Sequence, residues 1–258
     1  MLENKRIIVT GCGRGMGEAT VLAYVSAGAR VVGMDINQEL GAAVITKANA
    51  IVSDQAHFVP VDVANEQNVA EAFHKAVEVL GGGLDVLAHP AAIQAASDPC
   101  EVTAETWDQM FAVNVRGTML TNQAAHRHMR LTGGGSIINF GSISGQRAEP
   151  HAVAYSASKG AVHSWTRSAA AAWGADKIRV NAILPAMVTP MYREARRHMT
   201  DDQNTTAYWN NHHPIALGKD YGDPLTDLGP VMIFFASDAS HFITGQLIPV
   251  DGGQTNTR

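Results

Sequence analysis

Tyr155 and Lys159 stand four residues apart in the run Tyr155-Ser156-Ala157-Ser158-Lys159. On a helix, residues at that spacing share a face. A phenol titrates near pH 10, too high for proton transfer at neutral pH, and a neighbouring ammonium lowers it by favouring the phenolate. The pair therefore has the chemistry of an acid–base group tuned by a cation. Ser142 lies 13 residues before Tyr155, just past an apolar run. Its hydroxyl is suited to hydrogen-bond a substrate oxygen and hold it against Tyr155. Asn114 falls inside a stretch that reads as a long helix, where asparagine is a middling helix former. Its side chain could hold a water that links Lys159 to solvent. Tyrosine and lysine at this spacing also occur by chance, as a half-buried aromatic beside a surface lysine, so the pair takes its meaning from the rest of the chain.

The segment Thr10-Gly11-Cys12-Gly13-Arg14-Gly15-Met16-Gly17 follows the first apolar run and opens a helical pattern. Glycines there let the backbone turn tightly and approach a pyrophosphate, and the helix N-terminus offers free N–H groups and a partial positive charge. The plainer reading is an ordinary tight turn; the strand–loop–helix placement favours a dinucleotide. Asp35 closes the second strand, 18 residues past Gly17. A carboxylate there can accept hydrogen bonds from both adenosine ribose hydroxyls and repels a 2′-phosphate, although it could instead cap the next helix. Arg14 argues the other way, since a basic residue beside the glycines can pair with a 2′-phosphate. Asp35 is expected against the ribose, so NAD is the expected cofactor and NADP the alternative. Asp62-Val63 follows the third strand. Asp62 suits the adenine amino group or, equally, an N-cap for the helix entered at Asn65-Glu66.

Positioning these groups requires alternating elements. Strands are expected over 5–10, 30–34, 57–61, 84–88, 136–140, 178–184 and 246–250, and helices over 16–27, 38–51, 66–80, 106–131, 152–174 and 224–237. Gly28 suits a helix C-cap, and glycine triplets at 81–83 and 133–135 stop two helices. Apolar strands alternating with helices imply parallel βαβ units with right-handed crossovers and helices on both faces. The exception is the irregular stretch 186–221; a long excursion of this kind is usually functional or mobile.

The bulk numbers fit one α/β domain over 1–258, with 46% apolar residues. A net charge of −5 gives a polyanion nothing to gain, so no nucleic-acid partner is expected, and the basic cluster from Arg193 to His198 reads as a solvated helix face. Cys12 and Cys100 make no disulfide framework and fit a reducing cytoplasm. The strand-like run Ile7-Ile8-Val9 begins too early for a signal peptide. No apolar run reaches the roughly 18 residues needed to span a bilayer, so no membrane partner is expected. Among the eleven histidines, His126 and His128 point apart on a helix, and adjacent His212 and His213 rarely chelate one ion. No cysteine or carboxylate cluster completes a site, and no metal is expected.

Taken together, the motifs closely resemble those of the classical short-chain dehydrogenases/reductases, over essentially the whole chain. The matching pieces are Thr10-Gly11 with Gly15 and Gly17, Asp62-Val63, Asn114-Val115-Arg116-Gly117, Gly141-Ser142, Tyr155 with Lys159, and Thr244-Gly245-Gln246 with Val250-Asp251-Gly252-Gly253. The resemblance implies a Rossmann-type doubly wound seven-stranded parallel sheet with NAD(P) across the strand C-termini. It implies catalytic Asn114, Ser142, Tyr155 and Lys159, and a homotetramer, or sometimes a dimer, with the two long helices at one interface. The expected dinucleotide contacts are Gly11, Arg14, Gly15, Met16 and Gly17, then Asp35, Ile36, Asp62 and Val63, then Pro90, Ala91, Tyr155, Lys159, Pro185, Val188 and Thr189. Two segments depart from the family. His89-Pro90-Ala91-Ala92 stands where Asn-Asn-Ala-Gly is usual, and Pro185-Ala186 where Pro-Gly is usual. A locally altered path beside the cofactor is expected at the first, with the hydride chemistry intact.

The resemblance makes 186–221 the substrate lid. Met187, Met191, Tyr192, Met199, Tyr208 and Trp209 within it offer adaptable and aromatic surface. With Ser142 and Tyr155, the expected substrate contacts are Gln94, His151, Met187, Met191 and Tyr208. The expected substrate is a bulky, largely apolar cyclic secondary alcohol, terpene- or steroid-like, or its ketone; the alternative is that these residues serve the lid's own packing or a subunit contact. The expected enzyme is an NAD-dependent alcohol dehydrogenase. The rivals are an NADP-dependent ketone reductase and a cofactor-sensing binding protein that has lost chemistry. Such a binding protein should lack Tyr155 or Lys159, and this chain has both.

Overall fold

Seven short runs rich in β-branched and other apolar residues become strands. They are β1 (Arg6–Thr10), β2 (Arg30–Asp35), β3 (Ala56–Pro60), β4 (Val86–His89), β5 (Gly135–Phe140), β6 (Ile178–Pro185) and β7 (Leu247–Val250). In the computed structural model, which describes residues 1–255, they form one sheet in the order β3-β2-β1-β4-β5-β6-β7. Every neighbouring pair is parallel. The last three residues of the expected 1–258 span lie outside the described residues. The central strands are buried on both faces, as their unbroken apolar sequences require.

The helices divide between the two faces. α1 (Gly15–Ser26), α2 (Gln38–Ile51) and α9 (Gly229–Ala236) cover one face, where Val21, Tyr24, Val44 and Phe235 pack on Ile7, Val9 and Ile138. α3 (Glu66–Val79), α5 (Gly117–Met129) and α6 (Val153–Trp173) cover the other, where Phe73, Leu120 and Ala170 pack on Ile8, Leu87 and Ile137. Strand order reverses between β1 and β4, which opens a crevice at the strand C-termini. The glycine loop, Asp35, His89 and Ser142 all stand at or just beyond those ends.

The structure corrects several expected elements. The helix expected over 106–131 is two helices. α4 (Ala104–Phe111) starts two residues earlier because the Thr103 hydroxyl accepts the Thr106 N–H. A wide π-helical turn, Ala112–Arg116, then joins it to α5. The helix expected over 224–237 likewise opens with a π turn, Pro224–Leu228, before α9. The stretch expected to be irregular over 186–221 contains α7 (Pro190–Arg197), α8 (Asp201–Ala207) and a π turn, Tyr208–His212. Neither aspartate takes the alternative role of helix cap: Asn37 caps α2 and Asn65 caps α3, each accepting a backbone N–H three residues on. Among the described residues no helix is long and apolar enough to cross a membrane, and no group of histidine, cysteine or carboxylate side chains is arranged to hold a metal ion.

Candidate active site

The glycine loop leaves β1 and enters α1 under tight steric limits. At Gly11, where φ is +59°, a Cβ would lie 2.7 Å from the Ala91 Cα. At Gly17 a Cβ would collide with the Gly11 carbonyl. Glycine at both lets the chain after β1 nest against the chain after β4 and leaves the α1 N-terminus open. Asp35 then fixes the loop: its Oδ2 accepts the Gly13 N–H at 2.8 Å and its Oδ1 accepts the Asn37 N–H at 2.8 Å.

A cleft of about 370 Å³ runs along these ends. Gly11, Arg14, Gly15, Met16 and Gly17 form one wall, with Asp35 and Ile36 at one end. Asp62 and Val63, then Pro90 and Ala91, then Thr189, line the rest. The cleft thus gathers most of the residues expected to hold a dinucleotide. Asp62 folds back locally, its Oδ1 accepting the Ala64 N–H at 2.9 Å. Four expected contacts do not line it: Tyr155 and Lys159 stand on α6, and Val188 and Pro185 fall elsewhere. Val188 faces a neighbouring pocket with Tyr192 and Arg196, and Pro185 ends β6 in register with Val250.

The segment that departs from the family is held in an unexpected way. After His89 the chain runs through Pro90 to Ile93 along the cleft, and Asn114 grips Ile93. The Asn114 Oδ1 accepts the Ile93 N–H at 2.9 Å, and its Nδ2 donates to the Ile93 carbonyl at 2.9 Å. The same Nδ2 lies 3.0 Å from the Ser158 Oγ on α6. The π turn carries Asn114, which is buried. Asn114 thus acts as a direct clamp on the cleft wall, a role its position in the chain did not signal. His89 is also fully buried. Its Nδ1 bonds the Thr10 hydroxyl at 2.7 Å, and its Nε2 has no partner among the described residues. Burial pushes His89 down to about 3, helped by the Lys159 charge, so the ring is neutral.

The α6 N-terminal half brings the proton-handling groups together. Ser142, just past β5, lies near enough to the Tyr155 phenol to favour its ionised form. The Ser142 hydroxyl is itself aimed by the Ser144 N–H at 3.1 Å, and the Ser142 N–H donates to His163 Nε2 at 3.3 Å. Lys159 lies on the Tyr155 face of α6, with its Nζ 5.6 Å from the phenol ring centroid. That Nζ donates to the Phe140 carbonyl at 2.7 Å. Burial pushes Lys159 down to about 8. Burial also pushes Tyr155 up to about 12, with Glu149 adding to the rise and Ser142 offsetting part of it. The lysine therefore does not by itself bring the phenol into the neutral range. A further positive charge in the cleft would be needed to favour the phenolate.

The expected substrate contacts separate. Met187 is buried in the hydrophobic core, its backbone bridged to Gly222, and does not line the cleft. Met191 reaches the cleft beside Thr189. Tyr208 stacks on His212 in the neighbouring pocket, 5.9 Å between centroids. Gln94 and His151 are exposed on the loops flanking α4 and α6. Sequence reasoning missed His163, Ser158, Arg147 and Glu149, whose roles depend on partners distant in the chain.

Comparison with known proteins shows the family. A family model described as enoyl-(acyl carrier protein) reductase covers residues 11–255. The chain is 37% identical to a 2,5-dichloro-2,5-cyclohexadiene-1,4-diol dehydrogenase of Sphingobium indicum, over 98% of each chain. It is 34% identical to a galactitol 2-dehydrogenase (L-tagatose-forming) of Cereibacter sphaeroides, over 98% of this chain and 96% of that one. A short-chain type dehydrogenase/reductase from Mycobacterium marinum superposes with a TM-score of 0.89 at 28% identity, covering 99% of this chain and 97% of the other. With the parallel seven-stranded sheet and these relatives, the chain belongs to the classical short-chain dehydrogenases/reductases and is an alcohol dehydrogenase/reductase acting on CH–OH groups.

Proposed function

We propose that this protein interconverts a secondary alcohol and its ketone with NAD, with Tyr155 as the proton-transfer group. The observation that carries this reading is the buried Lys159 ammonium 5.6 Å from the Tyr155 ring centroid, with Ser142 just past the end of β5 and a glycine-walled cleft at the strand ends. When bound, the nicotinamide supplies the hydride acceptor or donor. Ser142 holds the substrate oxygen, and Tyr155 takes its proton in oxidation or returns it in reduction. Lys159 adds positive charge beside the phenol, and Asn114 keeps the wall at Ile93 in place.

The residues present fit a dinucleotide. Gly11 and Gly17 leave room where a side chain would intrude, and the α1 N-terminus faces the cleft. Asp35 supports NAD over NADP, because a carboxylate braced by two backbone N–H groups opposes a 2′-phosphate. The exposed Arg14 is the feature that favours NADP. The proposed substrate is a cyclic, largely apolar alcohol under a lid over 186–221. Met191, which lines the cleft, supports this, as does a relative named for a chlorinated cyclohexadienediol. An apolar hollow of Phe111, Val115, Met119, Val162 and Trp165 along α5 and α6 supports a homotetramer that buries these helices. The free thiols of Cys12 and Cys100 support a cytoplasmic setting.

The test is reduced-cofactor absorbance with NAD and NADP over a panel of cyclic, steroidal and sugar alcohols. Turnover with NAD and cyclic alcohols is expected. Turnover confined to small polar sugars would overturn the apolar-substrate reading, and a preference for NADP would overturn the cofactor.

A further inference from the structure

His163 is buried, at 3% exposure, and neither the proton chemistry nor the dinucleotide cleft uses it. It lies on α6 four residues past Lys159 and eight past Tyr155, so the three side chains share one side of the helix. The loop after β5 closes around its ring from both sides of Ser142. A Cβ at Gly141 would lie 2.5 Å from His163 Nε2. A Cβ at Gly145 would lie 2.7 Å from His163 Cε1 and 2.8 Å from the Gly160 backbone nitrogen. Glycine at both positions thus lets the loop sit directly on the imidazole and on the α6 backbone.

Sheet pairing runs out where the serine begins. The Gly141 N–H still donates to the Ile183 carbonyl of β6 at 2.9 Å. The next N–H, that of Ser142, has passed the end of the ladder and must find a partner outside it. It donates to His163 Nε2 at 3.3 Å. To accept it, Nε2 carries the lone pair and Nδ1 the proton. Burial pushes His163 down to about 4, with the Lys159 and Arg167 charges adding to the fall, so the ring keeps that acceptor at neutral pH. The Ser142 carbonyl and hydroxyl turn back on their own loop, accepting the Gly145 N–H at 3.0 Å and the Ser144 N–H at 3.1 Å. The bond to His163 is therefore what ties the Ser142 backbone to α6.

We propose that His163 is a positioning residue for the reaction: by holding the Ser142 N–H it makes α6, which carries Tyr155 and Lys159, also fix where the serine hydroxyl stands. Its role rests on Ser142 being the group that holds the substrate oxygen. Ser142 and Tyr155 come from different elements, and a misplacement of about 1 Å between groups that grip one oxygen costs up to about 10²-fold in rate. A rigid imidazole about two turns along the helix from the phenol removes that freedom. His163 does not line the cleft, so it acts through Ser142 and not on the substrate.

The test is a double-mutant cycle read by the single-turnover rate of reduced-cofactor formation, with NAD and the cyclic or sugar alcohol that the wild-type protein oxidises fastest. His163→Leu, which removes the acceptor, should slow that step by about ten- to a hundredfold while dinucleotide affinity by fluorescence titration stays unchanged. His163→Gln, whose amide oxygen reaches the place of Nε2, should recover most of the rate. In a Ser142→Ala background His163→Leu should add almost no further loss, because the group it positions is gone. Should His163→Leu not fold, the same cycle is run with His163→Asn, whose amide is too short to reach the Ser142 N–H. A wild-type rate in the folded His163 variant, no recovery with Gln, or losses that multiply in the double variant would overturn the proposal and leave the assigned reaction standing. A wild-type rate in Ser142→Ala would instead overturn the role given to the serine, and failure to oxidise any alcohol with either dinucleotide the reaction itself, each taking this inference with it.

Discussion

Asn114 holds the backbone of Ile93 by both its polar groups, with the N–H and the carbonyl each 2.9 Å from the amide side chain. The two residues are 21 positions apart, one on the π turn between α4 and α5 and the other on the cleft wall after β4. Here a helix irregularity and a departure from the family pattern are fastened together. Asn114→Ala leaves both Ile93 groups without their protein partner. It should cost roughly 2 kcal/mol of stability and raise the KM for the dinucleotide, because the wall at Pro90 and Ala91 is no longer pinned. Urea unfolding and dinucleotide titration check this. Unchanged values in both would remove the clamp from the account.

Tyr155→Phe removes the proposed proton-transfer group and keeps the ring. Turnover should fall by about 10²- to 10⁴-fold, the usual share of a positioned acid–base group. Dinucleotide binding, measured by fluorescence titration, should stay within a few-fold of wild type. Most of the activity surviving would sink the proposed mechanism.

Burial raises Tyr155 and the Glu149 charge raises it further. Glu149→Gln removes that charge, so the ascending limb of the pH–rate profile for alcohol oxidation should move to lower pH. The sign follows because a base with a lower pKa is deprotonated earlier. A shift to higher pH would contradict the electrostatics described for the pair.

Asp35 braces the glycine loop and opposes a 2′-phosphate. Asp35→Ser should lower the NAD/NADP ratio of kcat/KM by at least about tenfold, since it removes a charge repulsion of more than 1 kcal/mol at partial burial. It should also cost some stability, because the Gly13 and Asn37 N–H groups lose their acceptors. Parallel assays with both dinucleotides give the ratio, and an unchanged ratio would count against NAD.

His89 is neutral and buried, with its folded-state value pushed down to about 3. In the unfolded chain a histidine titrates near 6.5. The folded value is the lower one, so the unfolded state binds more protons below pH 6.5. Stability is full above that pH and is lost as pH falls towards 3. By pH 5.5 this one residue should cost about 1.4 kcal/mol. His163, pushed down to about 4 by burial, adds a loss of the same sign. His89→Asn should therefore show a shallower fall in unfolding free energy between pH 7.5 and 5.5 than the wild type. An equal fall in both proteins would mean that His89 does not titrate as described.

The sequence by itself determined whatever depends on local period and spacing. The apolar runs specified seven strands, because a strand buried on both faces must be apolar throughout. The i,i+4 spacing of Tyr155 and Lys159 placed them on one face of α6, and the glycines at 11 and 17 marked a backbone that cannot carry a Cβ. Tertiary structure decided what depends on partners far apart in the chain. The π turn at Asn114 has no composition signal, and its side chain acts on a residue brought near only by the order of β1 and β4. The cap at Thr103 depends on where the chain turns into α4, and of the helices inside 186–221 only the face from Arg193 to His198 was legible. The protonation of Tyr155, Lys159 and His89 is set by burial, which no spacing encodes. Arg147, hydrogen-bonded to Glu149, reaches Asn211 only because the lid folds back onto the loop after β5.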